Sequence, residues 1–271
     1  MDLRRKRVAS AERVKELVDA AFAARYQDLA AMLKLSSRAV ALAEEKSDEL
    51  PSDLVVAAWT QYGNALRIVG SYPEAERALG RAAALPTSDP QTRIHLLEVT
   101  ASLHRNTGRF ESAAHCLTVA IDAYRAIGDS HGEARTYNLL GLVCFDAGDR
   151  QRALRAYQTA LDLLGPDTPI DVVATTGHNL VETLIADGRL AAATSALALL
   201  EPFFRRFPPG SLTAKTEWLR ARLCRGLHQL TAARLAYERA YALLSTEPRS
   251  PDLAELKKEM AELPAPYHLP L

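Results

Sequence analysis

Residues Tyr62 to Leu85 read YGNALRIVGSYPEAERALGRAAAL, and this stretch decides the fold. It is rich in helix-forming residues yet carries Gly63, Gly70 and Pro73. Gly70 ends one helix by taking a left-handed backbone conformation that a Cβ would penalise. Ser71 and Glu74 then make a candidate capping box for a second helix, with Pro73 tolerated in its first turn. Gly63, Ala75 and Ala82 are small residues where two antiparallel helices need close approach. The stretch is therefore predicted to be a helix hairpin.

The same punctuation recurs. Turn glycines fall at Gly70, Gly108, Gly148 and Gly188, spaced 38, 40 and 40 residues apart. Five residues after each stands an alanine, namely Ala75, Ala113, Ala153 and Ala193. Nine after stands Leu79, Leu117, Tyr157 or Leu197, and twelve after, three copies have Ala82, Ala120 and Ala160. A fifth copy, with Ala233, Tyr237 and Ala240, puts His228 at the glycine position, where histidine is tolerated less well. A degenerate copy is expected at 10–46, where Gln27 takes the turn position and Ala39 falls in register. Repeats are thus expected near 10–46, 55–86, 92–126, 132–164, 171–206 and 212–245.

Proline-rich and glycine-rich breakers separate these units: Pro86–Pro90, Ile127–Gly132, Gly165–Pro169, Pro208–Ser211 and Ser245–Pro251. Asp89, Thr168 and Ser250 each precede a proline and read as helix starts. Because the breakers share the repeat period they read as inter-repeat turns, so one continuous domain over 1–263 is expected. Residues 252–263 form a more charged helix suited to capping the open end of a stack, and 264–271 read as an irregular tail.

Lysine and arginine total 33, as do aspartate and glutamate, so no global field gathers nucleic acid. Arg4, Arg5, Lys6 and Arg7 form a short basic run that reads as a solvated terminus. Cys116, Cys144 and Cys224 are far apart and odd in number, which fits reduced thiols better than a disulfide framework or zinc site. The N-terminus lacks a signal-peptide pattern, and no window approaches the roughly 18 to 20 apolar residues of a membrane span. A soluble cytoplasmic protein is expected.

Trp59, Gly63, Gly70, Tyr72, Ala75 and Ala82, and again Tyr137, Gly141, Gly148, Ala153, Tyr157 and Ala160, resemble the tetratricopeptide repeat signature. The resemblance covers residues 10–245, with a unit of about 40 residues against the usual ~34. It implies an all-α, right-handed superhelical solenoid of about six stacked antiparallel hairpins, with first helices lining a concave groove. It also implies a partner that is another protein or a peptide.

The family's groove positions map onto Thr60, Asn64 and Arg67, then Glu98, Ser102 and Arg105, then Arg135, Asn138 and Phe145. The last two repeats give His178 and Glu182, then Lys215, Trp218, Arg222 and Arg225. Arginine forks pair with carboxylates and asparagine reads amides, so an acidic or amidic segment is the expected ligand. The plainer reading is that these are solvated polar positions, with Trp218 in the core. His104, Cys144 and Cys224 share one repeat position and read as packing residues. Cys116 and His115 are adjacent on a helix and point apart, so they make poor partners. No GxxxxGK, HExxH or GxSxG motif occurs and the seven histidines are scattered, so no enzyme, cofactor or metal is expected. The function implied is an interaction scaffold or adaptor in a bacterial-type regulatory or assembly complex. The alternative is a peptide-responsive regulator whose superhelix changes pitch.

Overall fold

The computed structural model describes residues 2–25, 28–165, 168, 170–206, 211–245 and 252–264, and these contain helices and turns but no strand. Unit 1, Met1–Ala147, holds α1 (Asp2–Ala24), α2 (Leu29–Glu45), α3 (Ser52–Ile68), α4 (Tyr72–Ala83), α5 (Pro90–Asn106), α6 (Phe110–Ile127) and α7 (Ser130–Asp146). Unit 2, Gly148–Leu271, holds α8 (Arg150–Leu163), α9 (Ile170–Ala186), α10 (Leu190–Phe204), α11 (Ser211–Gly226), α12 (Leu230–Leu244) and α13 (Asp252–Ala261). The chain divides into two compact units at the Gly148 turn, inside the fourth repeat.

Within unit 1, α1 pairs with α2, α3 with α4 and α5 with α6, while α3 packs on α5 and α6 on α7. In unit 2, α9 pairs with α10 and α11 with α12, and α13 closes against α12. Of the degenerate first copy, Ala39 is fully buried, whereas Gln27 and most of the basic run's chemistry lie outside the described residues and side chains. The breakers at Pro208–Gly210 and Thr246–Pro251, and the tail beyond Pro264, also lie outside them.

The turns form as their residues dictate. Gly70, Gly108, Gly148 and Gly188 have φ of 72 to 83°, and His228 takes the same left-handed conformation at φ 60°. The reversal is sealed by a bond from the next amide back to the residue four before the turn: Ser71 to Leu66 O, Arg109 to His104 O, Arg189 to Leu184 O and Gln229 to Cys224 O, at 2.8 to 2.9 Å.

After the turn, Ala75, Ala113, Ala153, Ala193 and Ala233 are all fully buried. Gly63 shows why: a Cβ there would lie 2.7 Å from the Leu79 side chain. The fifth hairpin exchanges large for small. Eleven residues before the turn, where other repeats have Trp59, Leu97 or Tyr137, it has Gly177, and twelve after, where they have Ala82, Ala120 or Ala160, it has Leu200, whose Cδ1 would lie 2.5 Å from a Cβ at 177.

Helix starts use aspartate. Asp28, Asp89, Asp129 and Asp149 each accept an amide three residues on, at 2.8 to 3.0 Å. The expected capping box at Ser71 does not form, because the Ser71 side chain makes no cap bond. Glu74 folds its carboxylate back onto its own amide, the donor that Ser71 would have capped. Pro73 removes the other nearby N–H. The Pro86–Pro90 breaker is instead tied down by Asp53, which accepts from Ser88 N at 2.9 Å, from Asp89 N at 3.2 Å and from the Thr87 hydroxyl. The Thr87 bond, then the amide bonds, hold the Asp53 carboxyl down at about 2.

Candidate functional site

Every candidate position lies on the first helix of a hairpin, on one face of α3, α5 and α7 in unit 1 and, separately, on one face of α9 and α11 in unit 2. The arginines three residues before the turns reach forward to the following first helix. Arg67 Nη1 donates to Asn106 Oδ1 at 2.9 Å, and Arg105 Nε to Asp146 Oδ2 at 2.5 Å. In unit 2, Arg225 lies 3.6 Å from Glu262. Sequence separations near the repeat length therefore become lateral contacts, a ladder of charged and amide pairs across neighbouring repeats.

Around that ladder the candidates divide. Thr60 is only 1% exposed, and its hydroxyl donates to Val56 O at 2.8 Å. Asn64 is buried, with Oδ1 accepting from Arg67 Nη2 at 2.8 Å, which fixes the arginine's direction. Glu98 is buried and accepts from the Thr136 hydroxyl at 2.9 Å, with Arg135 at 3.4 Å. Arg135 also donates to the Tyr124 hydroxyl at 2.8 Å. Burial, and next the Glu98 charge, push that phenol up to about 12. Ser102 donates to Glu98 O at 2.9 Å, and Asn138 and Phe145 are half-buried.

In unit 2 the candidates converge with residues of α13. Lys215 Nζ lies 3.2 Å from Asp252, and Arg222 donates to Glu182 at 2.8 Å and to Glu259 at 2.6 Å. Trp218 is 7% exposed, donates Nε1–H to Glu259 at 2.9 Å and has the Arg222 guanidinium 4.5 Å from its ring centroid. Tyr237 donates to the same carboxylate at 2.8 Å. Burial opposes ionisation of Glu259, but the bonds from Arg222, Trp218 and Tyr237 outweigh it and lower its pKa. His178, Glu182, Lys215, Trp218 and Arg222 meet Asp252 and Glu255 around a polar cavity of about 170 Å³. Burial, reinforced by Lys215 and Arg222, holds His178 neutral down to about 4.

The acidic role of α13 escaped the sequence reading, which treated it as a solvating cap. A signal was present. Asp252, Glu255, Glu259 and Glu262 follow the spacing of Lys215, Trp218, Arg222 and Arg225, one helix face against another, offset by 37 residues. The cysteines behave as packing residues: Cys144 is buried, and burial raises the Cys116 and Cys224 thiols. No group of three His, Cys, Asp or Glu side chains among the described residues could hold a metal ion. No helix there is long and apolar enough to cross a membrane.

Residues 93–164 match the family model for the tetratricopeptide repeat. No curated protein matches the chain in sequence. Among solved structures, BtubC (BKLC) from P. vanneervenii is similar at 17% identity, covering 92% of this chain and 94% of its own, with a TM-score of 0.61. PilF of Pseudomonas aeruginosa is similar at 15% identity over 93% of this chain and 99% of its own, with a TM-score of 0.59. The apo form of RapI reaches a TM-score of 0.70 at 10% identity, over 92% of this chain and 70% of its own. At these identities the likeness is one of fold.

Proposed function

We propose that the chain, whose residues 93–164 match the tetratricopeptide repeat model, is a non-enzymatic interaction scaffold that holds a protein segment on its first-helix face. The partner chemistry is acidic or amidic, and the setting is a bacterial-type regulatory or assembly complex. One observation carries this reading: Arg67 and Arg105 already grip a side-chain amide and a carboxylate on that face. Arg105 and Asp146 remain about one-third exposed, so an incoming carboxylate can compete for the guanidinium. Thr60 and Glu98, being buried, support the face, while Arg67, Arg105, Arg135 and Asn138 meet the ligand.

The test is affinity capture from the native source, followed by combined replacement of Asn64, Arg105 and Asn138 with alanine. Loss of the captured partner from a variant with an unchanged circular dichroism spectrum and melting curve is expected. Undiminished capture by the folded variant overturns the reading.

A further inference from the structure

We infer that the second helices of unit 2 form a separate docking groove for an acidic amphipathic helix of a partner protein. The groove runs between α8 and α10 with α9 as its floor, and its volume is about 580 Å³. Leu180 and Leu184 make the floor, while Ala192 and Ala196 give one wall a low profile that admits a close neighbour. Leu199 stands at its edge 76% exposed, the most exposed large hydrophobic residue described.

Hydrogen-bond accounting selects the occupant. The polar side chains of the rim are already used: Gln151 donates to Asp187 at 3.0 Å, Gln158 to Asp162 at 2.8 Å and Ser195 to Ala191 O at 3.2 Å. The walls and floor are helices, whose backbone groups are satisfied internally. An extended segment laid on this floor would leave its own N–H and C=O groups without partners, whereas a helix satisfies them within itself. The lining runs from Gln151 to Leu161 on α8, about 15 Å or three turns at 1.5 Å per residue. It suits apolar anchors at i, i+3 or i+4, and i+7.

Charge completes the assignment. Arg155 and Arg189 line the groove, the lining contains no acidic residue, and neither arginine makes an ion pair among the described residues. Carboxylates flanking the apolar stripe of the incoming helix would meet these two guanidinium groups. This surface is distinct from the first-helix face and uses none of its residues.

The experiment uses the full chain and a fluorescein-labelled synthetic helix of three to four turns, hydrocarbon-stapled, with leucines at i, i+4 and i+7 and flanking glutamates. Fluorescence anisotropy reads its binding. Saturable binding is expected, at least tenfold weaker for a counterpart with lysines in place of the glutamates. Leu199→Asp, at an exposed position, should weaken binding at least tenfold with an unchanged melting curve. Arg155→Glu with Arg189→Glu should invert the preference toward the lysine peptide. Changes at Arg67 and Arg105 should leave it untouched, which separates this groove from the face proposed above. Absence of saturable binding, or binding indifferent to Leu199→Asp and to charge reversal, overturns the inference. Self-association that Leu199→Asp abolishes, in sedimentation velocity, would seat a second copy there and overturn it equally.

Discussion

At Gly132 a single methyl group decides whether a repeat can close, because an added Cβ would lie only 2.2 Å from Cε1 of the Tyr124 ring. Gly132→Ala should destabilise unit 1 by about 2 to 3 kcal/mol, the cost of overpacking plus the displaced Tyr124 bonds to Arg135 and Glu98, measured by urea denaturation. His228 presents the reverse case. It holds a left-handed conformation that costs an L-residue about 1 to 2 kcal/mol, and its side chain is exposed. His228→Gly should therefore stabilise unit 2 by about 1 kcal/mol net of glycine's greater unfolded-state freedom, seen as a higher denaturation midpoint. Both sites show how far single residues were legible. A turn position needing positive φ announces itself by glycine at a fixed spacing, so His228 was identifiable by its register. The contact of Gly132 with Tyr124 joins two repeats, and no spacing rule within one repeat reveals it.

Among the elements, α13 is held by apolar residues, with Leu256 fully buried and Leu253 and Met260 packed beside it, and by one carboxylate. Glu259 accepts from Arg222, Trp218 and Tyr237, and it is mostly shielded from water. Glu259→Ala strands the Trp218 and Tyr237 donors, leaves Arg222 to Glu182 and Glu255, and should cost about 3 kcal/mol, with faster amide exchange concentrated in α11 to α13. The α9 face carries a pH dependence. His178 is neutral in the fold to about pH 4 but takes up a proton near 6.5 when unfolded. The unfolded state thus binds more protons between these values, and stability falls as pH drops through that window, by at most about 1.4 kcal/mol per pH unit. His95 and His104 are pushed the same way by burial. Melting curves from pH 6.5 to 4.5 should show a smaller loss for His178→Gln than for the parent chain. Helix existence and pairing were legible because alanine and glycine recur wherever backbones meet. The Ser71 box was misread for a local reason: a donor can be satisfied by its own residue's carboxylate, and sequence spacing does not say which acceptor wins.

For the whole molecule, charge neutrality and the repeat period pointed to a scaffold without naming its surfaces. The first-helix positions were found by register, yet register does not distinguish Arg105, which is partly exposed, from Thr60, which is buried. That difference arises from neighbouring repeats, which the periodicity treats as identical. With a net charge of zero the molecule has no overall field to steer a partner, so charged contacts must act locally. Partner capture through the arginines of the first-helix face should weaken steadily as salt rises from 50 to about 500 mM, where the screening length falls below about 5 Å. Binding that is indifferent to salt would point to apolar anchoring instead. The exchange of bulk between Gly177 and Leu200 sets a rule for anyone recombining such arrays. Grafting α9 alone from another hairpin would force a large side chain against Leu200, and grafting α10 alone would leave a hole opposite Gly177. The interchangeable part of this chain is the hairpin, inherited or engineered as a pair.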